Sequence, residues 1–377
     1  MVAHAGEVGI KSKTTRRFMI KVLHRNISTK FPDFELNFKN IANRSIALTE
    51  NAETLAQNIA DIIFGVSYTA PIYFFKWSTY EHLTDKFIKY ASQFMKPGLS
   101  FGFEARTSGK DRPSSMQLKV DLGSLLYEFF NGSISVNLTN PDHLFSVEVR
   151  DEFAWIYHER IQGLDGFPQG AQKGIIYGNI RYWLNDYIAT YLTMKRGVNV
   201  IPIRFITTEN PTLEEQSWHE QFLQKFSFRK GIDIPIHGLL AKWKESFGTN
   251  LCSACMFFSE SILAKVSNQK NAIGFVSGVK STSLNGDITE DVLKWFENQN
   301  SYFKIRPILI LDTETITKSK NFSTFKSNAP CCLFQKMRLF NYKLSAEEQD
   351  IVETQVKNYA ENYFGNNLFS IDQNEEQ

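Results

Sequence analysis

The residues in this chain best suited to chemistry are its four cysteines: Cys252-Ser-Ala-Cys255, and Cys331-Cys332 further on, after Pro330. A CxxC turn puts both sulfurs on one side, and thiolates held that way bind a soft metal or an iron–sulfur cluster. The pair falls at or near the start of a predicted helix, where the positive helix end lowers a thiol pKa. Adjacent cysteines seldom both serve one metal, so three thiolate ligands is the set this spacing favours. Such a set leaves one cluster iron, or one zinc position, open to exogenous chemistry. A redox dithiol would use the same pair, and buried inert cysteine is the third reading, because free Cys is a common core residue. The chain has no HExxH, no GxxxxGK[ST] phosphate loop and no GxSxG. His158, His219 and His237 are scattered along it and read as satisfied or exposed side chains, not ligands.

A second chemistry lies near the start. Residues 14–26 have helical periodicity, with Phe18, Val22 and Leu23 expected to face a core. Lys13, Arg17, Lys21 and Arg25 recur every four residues and so form one cationic stripe. Such a stripe can track phosphates, or be no more than a solvated helix face. The net charge of +2 is too small to indicate nucleic acid by itself, so the distribution carries that inference.

The elements that must position these groups follow from pattern. A chain of 377 residues, 42% hydrophobic and 22% charged, has room for two or three domains with a sizeable core. A short strand, the basic helix, a strand at 45–49, a helix at 53–64 and a strand at 66–71 make a β-α-β-α-β order that suggests a ferredoxin-like unit. A strand at 72–77, a helix ended by Pro97-Gly98, a strand at 100–106 and a helix through Leu118, Leu122, Leu125, Leu126 and Phe129 follow. Alternating runs at 146–150 and 153–157 around Asp151-Glu152 predict a hairpin. Gly163 to Gly174 is rich in glycine and reads as an interdomain linker. Beyond it, a strand from Ile175, a helix at 185–196 closed by Gly197 and a strand at 198–205 form a β-α-β pattern that implies a parallel sheet. Strands at 232–236, 272–276 and 305–311 and helices at 215–225, 239–247 and 256–266 extend it. Ser345-Ala-Glu-Glu348 is a capping box that opens a helix with Ile351, Val352, Val356, Tyr359, Ala360 and Tyr363 on one stripe. The fold class is therefore α+β in the first half and α/β in the second. Met1 to Glu7 is too polar for a signal peptide core. The longest apolar run, Ile59 to Trp77, contains Asp61 and Pro71 and reads as a helix end and a strand, not a membrane span. With so few cysteines, a cytoplasmic protein is expected.

Several of these stretches, in order, resemble the tRNA 4-thiouridine synthetase (tRNA sulfurtransferase) family, whose members carry a ferredoxin-like domain, a THUMP domain and a PP-loop domain. Gly6-Glu-Val-Gly-Ile-Lys-Ser-Lys13 is similar to the family's GEIxLKGK opening, and Phe64 to Ala70 to its FGI-type strand. Asn140-Pro-Asp142, Val147-Glu-Val-Arg150 and Tyr157-His-Glu-Arg160 resemble the end of a THUMP domain, and Gly163 to Gly170 the GxGGLPxG linker. Tyr191 to Gly197, Cys252-x-x-Cys255, Ile305-Arg-Pro-Ile308 and Cys331-Cys-Leu-Phe334 follow in the family's order. The resemblance divides the chain into a ferredoxin-like domain at 1–75, a THUMP domain at 76–168, a PP-loop domain of adenine nucleotide alpha hydrolase type at 169–369 and a disordered tail at 370–377.

It also implies an activity. In that family ATP, with magnesium, activates the uridine oxygen and a sulfur donor then displaces AMP. Archaeal-type members hold an iron–sulfur cluster on the CxxC and a downstream cysteine. Carried over, Cys252 and Cys255 are cluster ligands with Cys332, or Cys331, as the third; in members that use a persulfide, Cys332 is the catalytic cysteine. The implied partner is tRNA, with Lys11, Lys13, Arg17, Lys21, Arg106, Lys110 and Arg112 as contact candidates. The sulfur donor is left open. Pairing is expected, as a homodimer or with an active paralogue. One departure is large. Where the family has the SGGxDSP PP-loop, this chain reads Arg181-Tyr-Trp-Leu-Asn-Asp-Tyr187. Glycines let backbone N–H groups approach a phosphate, and both have become aromatic residues, Tyr182 and Trp183. Arg181, Asn185, Asp186 and Lys280 are what remain at the nucleotide position. The alternative to an enzyme is therefore a non-catalytic tRNA-binding paralogue that keeps the cluster; a sulfur carrier acting without RNA is a weaker third reading.

Overall fold

The computed structural model describes residues 1–109, 113–181, 184–210, 213–269, 272–279, 303–305, 307, 322 and 344–362. Lys110, Arg112, Tyr182, Trp183, Lys280, Cys331, Cys332, Tyr363 and the 370–377 tail lie outside them. The chain forms two compact units, Met1–Gly166 and Phe167–Gln377.

The first unit opens with β1 (Val2–His4), the short helix α1 (Gly6–Gly9) and the basic helix α2 (Lys13–Lys30). Next come β2 (Lys39–Ile41), β3 (Arg44–Ile46), α3 (Ala52–Ile62) and β4 (Val66–Thr69). The strand order β4-β1-β3-β2 is that of a ferredoxin-like sheet, and every pairing in it is antiparallel. The β2–β3 hairpin is absent from the sequence pattern because it is short and polar. Its turn is made by Ala42 and Asn43, both at positive φ.

α2 buries Met19, Val22, Leu23, Asn26 and Ile27. Phe18, expected in that core, is instead 50% exposed. At about 100° per residue it lies a quarter-turn from the centre of the buried face, on the border with the cationic stripe.

A second sheet of the first unit has the order β5-β9-β8-β6-β7, from Tyr73–Lys76, Phe153–Tyr157, His143–Arg150, Ser100–Ser108 and Ser135–Val136. The alternating hairpin forms as β8 and β9, paired antiparallel from Ser146↔Tyr157 to Arg150↔Phe153. Helices α4 (Tyr80–Ala91) and α5 (Ser115–Phe129) set Leu83, Phe87, Leu118, Leu122 and Leu126 against Phe101, Phe145, Val147 and Ile156. The two sheets share a small core of Ile46, Ala70, Trp155 and Tyr157. Buried Glu148 ties them further: it pairs with Arg44 at 3.3 Å and Arg150 at 3.6 Å and accepts from the Tyr157 hydroxyl at 3.1 Å. The strand β10 (Ile161–Gln162) then returns to the first sheet as the edge partner of β4.

The second unit is a parallel sheet in the order β13-β12-β11-β14-β15. Its strands are β11 (Ile175–Ile180), β12 (Asn199–Ile206), β13 (Ile232–Pro235), β14 (Gly274–Val276) and β15 (Phe303–Ile305). Helix α6 (Leu184–Lys195) connects β11 to β12, and Gly197, at φ +87, turns the chain where a Cβ would meet Phe167 at 2.8 Å. α7 (Leu213–Phe226) packs on α6 through Tyr187–Trp218, Tyr187–Phe222 and Tyr191–Phe226 ring contacts. α8 (His237–Phe247), α9 (Leu251–Gln269) and α10 (Ala346–Ala360) share a core with the sheet. The capping box at Ser345 and Glu348 forms, and α10 buries Val352, Val356 and Ala360. Among the described residues no helix is long and apolar enough to cross a membrane.

Candidate functional site

Alternation along β11 sends its side chains to two faces. Gly178 lies against Thr190 of α6, whereas Tyr177 joins the α8–α9–α10 core and Asn179 donates to Ser259 of α9 at 3.4 Å. The neighbours of β11 are β12, reached through α6, and β14, which follows α9. The connections therefore part on opposite faces between β11 and β14. That is a topological switch point, and ligands of open parallel sheets bind outside the carboxyl ends of the strands there.

Arg181 stands at the carboxyl end of β11, Ser277 and Gly278 stand at that of β14, and Asn185 and Asp186 lie in the first turn of α6. Asp186 is fully buried and Arg181 is 4% exposed. The Asp186 carboxylate takes three donors. The Arg181 backbone N–H reaches Oδ2 at 3.0 Å, the Arg181 guanidinium reaches Oδ1 at 3.3 Å, and the Gly278 backbone N–H reaches Oδ1 at 3.1 Å. Both oxygens accept N–H bonds; burial raises the Asp186 pKa, and Arg181 and the two backbone N–H groups work against that rise. Burial works against the Arg181 charge, but Asp186, Cys255 and Glu260 together more than reverse it, so its pKa is raised. Gly278 fits because it has no side chain: a Cβ there would meet the Asn185 carbonyl carbon and the Asp186 nitrogen at 2.4 Å. Two buried polar atoms nearby, Ser277 Oγ and Asn179 Oδ1, have no hydrogen-bond partner among the described residues.

Cys252 and Cys255 lie in the first turns of α9. A separation of i, i+3 places them on one helix face, and both are partly buried against the core. Cys255 is close enough to Arg181 to contribute to its raised pKa, so the CxxC end of α9 adjoins the switch point. Among the described residues no group of three or more His, Cys, Asp or Glu side chains could hold a metal ion. The donor set itself, two thiolates on one face, is of the kind a soft metal or cluster takes. His219 is buried, shares a hydrogen bond with the Tyr187 hydroxyl at 2.8 Å and has its pKa lowered to about 3, chiefly by burial.

In the first unit, Lys13, Arg17, Lys21 and Arg25 are all exposed, as is Arg106 on β6; Lys11 is half-buried. α2 also carries Arg16 and Lys30 and has no acidic residue. Phe18 on the border of that face is an aromatic the stripe reading missed. Its helical angle relative to Met19 and Ile27 was the available signal.

The THUMP domain model matches residues 78–159. The probable tRNA sulfurtransferase of Methanobrevibacter smithii is 28% identical over 62% of this chain and 61% of its own length. That of Methanocaldococcus jannaschii is 22% identical over 85% of this chain and 87% of its own. The crystal structure of a 4-thiouridine synthetase–RNA complex with bound ATP superposes with a TM-score of 0.76, at 19% identity, over 97% of each chain. Over most of its length the chain is similar to tRNA sulfurtransferases, and it carries a THUMP domain. Its second sheet, β5 to β9 with α4 and α5, is the body of the THUMP domain. The parallel sheet has the α/β architecture of the family's third domain.

Proposed function

We propose that this chain binds tRNA through its first unit and acts in tRNA thiolation, the transfer of sulfur to a uridine. The observation that carries the reading is α2, an exposed cationic face without an acidic residue, in the domain that precedes a THUMP domain. The relatives' activity and the RNA held by the structural neighbour support it. Binding of this kind rests on phosphates and on tRNA shape more than on base edges. Lys11, Lys13, Arg17, Lys21, Arg106, Lys110 and Arg112 are its contacts. Cys252 and Cys255, with Cys332 or Cys331, hold an iron–sulfur cluster, and that cluster would supply an open iron for exogenous sulfide. In a persulfide route Cys332 would be the catalytic thiol. The protein works in the cytoplasm, paired with a second copy or with an active paralogue.

Charge reversal at Lys13, Arg17 and Lys21 tests the surface. The variant should bind tRNA more weakly and lose about 2–3 units from the slope of log affinity against log salt. Unchanged affinity and slope would remove α2 from the interface.

A second reading is favoured by one observation, the occupied first turn of α6. On that reading the chain is a tRNA-binding subunit that has lost ATP chemistry. Protein purified without oxygen, given tRNA, Mg-ATP and sulfide, decides between them: 4-thiouridine in the digested tRNA supports the enzyme, while tRNA binding without ATP consumption supports the subunit.

A further inference from the structure

We infer that the phosphate position of the α/β unit is filled from within, by the Asp186 carboxylate acting as a resident anion in place of a nucleotide phosphate. This inference rests on the reading that the unit is built on a nucleotide-binding plan.

A phosphate at a helix N-terminus is held by backbone N–H groups and a nearby cation, and at a switch point these come from the loops after two neighbouring strands. Three donors of this kind are present among the described residues, and each is engaged. The loop after β11 gives the Arg181 N–H and guanidinium, and the loop after β14 gives the Gly278 N–H. Each ends on a carboxylate oxygen that belongs to α6 itself. Phe275 and Val276 of β14 are buried beside β11, so the Gly278 loop is carried to α6 by the sheet and not by chance contact.

Space points the same way as bonding. The backbone of Gly278 is in van der Waals contact with the Asn185–Asp186 peptide, and one added methyl there would overlap it at 2.4 Å. Among the described residues no gap for a phosphate remains between the β14 loop and the helix turn. Charge closes the site further. The Arg181 guanidinium is buried and already paired with Asp186 at 3.3 Å. A triphosphate entering would meet a buried carboxylate at the place where it needs donors. The residues present therefore do not fit ATP in the grip that this architecture otherwise provides. The loss of glycine at 182 and 183, outside the described residues, is not needed for this conclusion.

Two measurements on the full chain test it. The first is calorimetric titration with Mg-ATP and with inorganic pyrophosphate. The wild-type chain should show no saturable binding, and a Kd below about 1 mM for either would overturn the inference. The second is thermal denaturation of Asp186→Gly, which removes the carboxylate and leaves the donors facing a cavity. Its Tm should fall and should recover with added pyrophosphate at concentrations that leave the wild-type Tm unchanged. A Tm equal to wild type, or a lowered Tm indifferent to pyrophosphate, would overturn it. If Asp186→Gly does not fold, Asp186→Ala also removes the carboxylate and leaves the cavity, and the same pair of outcomes applies to it. tRNA binding by the same wild-type sample separates the two readings. Lost tRNA binding with no ATP binding defeats the proposed function alone, and tRNA binding together with ATP binding defeats this inference alone.

Discussion

His4 and His24 show how closely single residues in this chain are specified. Ser45 Oγ donates its one proton to Asn40 Oδ1 at 2.9 Å, so His4 Nε2 and His24 Nε2, each 2.7 Å away, must both donate to it. His4 Nδ1 has no partner among the described residues, and His24 stacks on Phe38 at 4.2 Å. Both pKa values are lowered to about 4, by burial first and, for His4, then by His24, Arg44 and Arg16. The folded state thus favours the neutral rings, whereas an unfolded chain takes up protons near pH 6.5. Their contribution to stability is complete above about pH 6.5 and is lost as pH falls through about 4. Tm measured against pH should drop across that window, and the drop should be shallower in the double variant His4→Asn, His24→Asn. Parallel curves would contradict the assignment. None of this was legible in the sequence, because a partner such as Ser45, forty-one positions from His4, is set by strand pairing. The Arg181–Asp186 pair was half-legible: the loss of both glycines could be read, but not the return of the carboxylate to its own loop.

At the scale of elements, pattern was a good guide wherever one face is buried. The β8–β9 hairpin and the α10 capping box followed from alternation and from a four-residue motif. The β2–β3 hairpin and β10 did not, since strands of two or three residues with exposed sides carry no period. The edge of α2 was misjudged at Phe18 for a related reason: an apolar residue a quarter-turn from the buried centre counts toward a periodic match and still faces solvent. The junction between β14 and α6 carries a prediction of its own. Gly278→Ala must push two backbones apart, which costs about 1–3 kcal/mol and roughly 5 °C in Tm for a unit of this size. The same substitution at Gly238, which has open space around it, should leave Tm within about 2 °C, since exposed sites of this kind change stability little. Equal effects at the two positions would mean that the β14 loop does not rest on α6.

At the scale of the molecule, the chain has the architecture of the 4-thiouridine synthetase it superposes on, with a buried charge pair at the first turn of α6. The first unit holds an acid-free basic helix and a THUMP domain, and its two sheets share a small core. The second keeps the parallel sheet, the switch point and the CxxC helix, and fills the first turn of α6 with its own charge pair. Of the cluster, two of the three proposed ligands are described, on one face of α9. Iron and acid-labile sulfide in protein purified without oxygen should be present in the wild type and absent in Cys252→Ser, Cys255→Ser; equal iron in both would place the metal elsewhere. The central claim is that tRNA is the partner and that α2 meets it. Affinity for unmodified tRNA, measured across a range of salt concentrations, tests that most directly. Engagement of the four-cation stripe predicts saturable binding whose log affinity falls linearly with log salt, with a slope of about −3 or steeper. No saturable binding at low salt, or binding indifferent to salt, would contradict it.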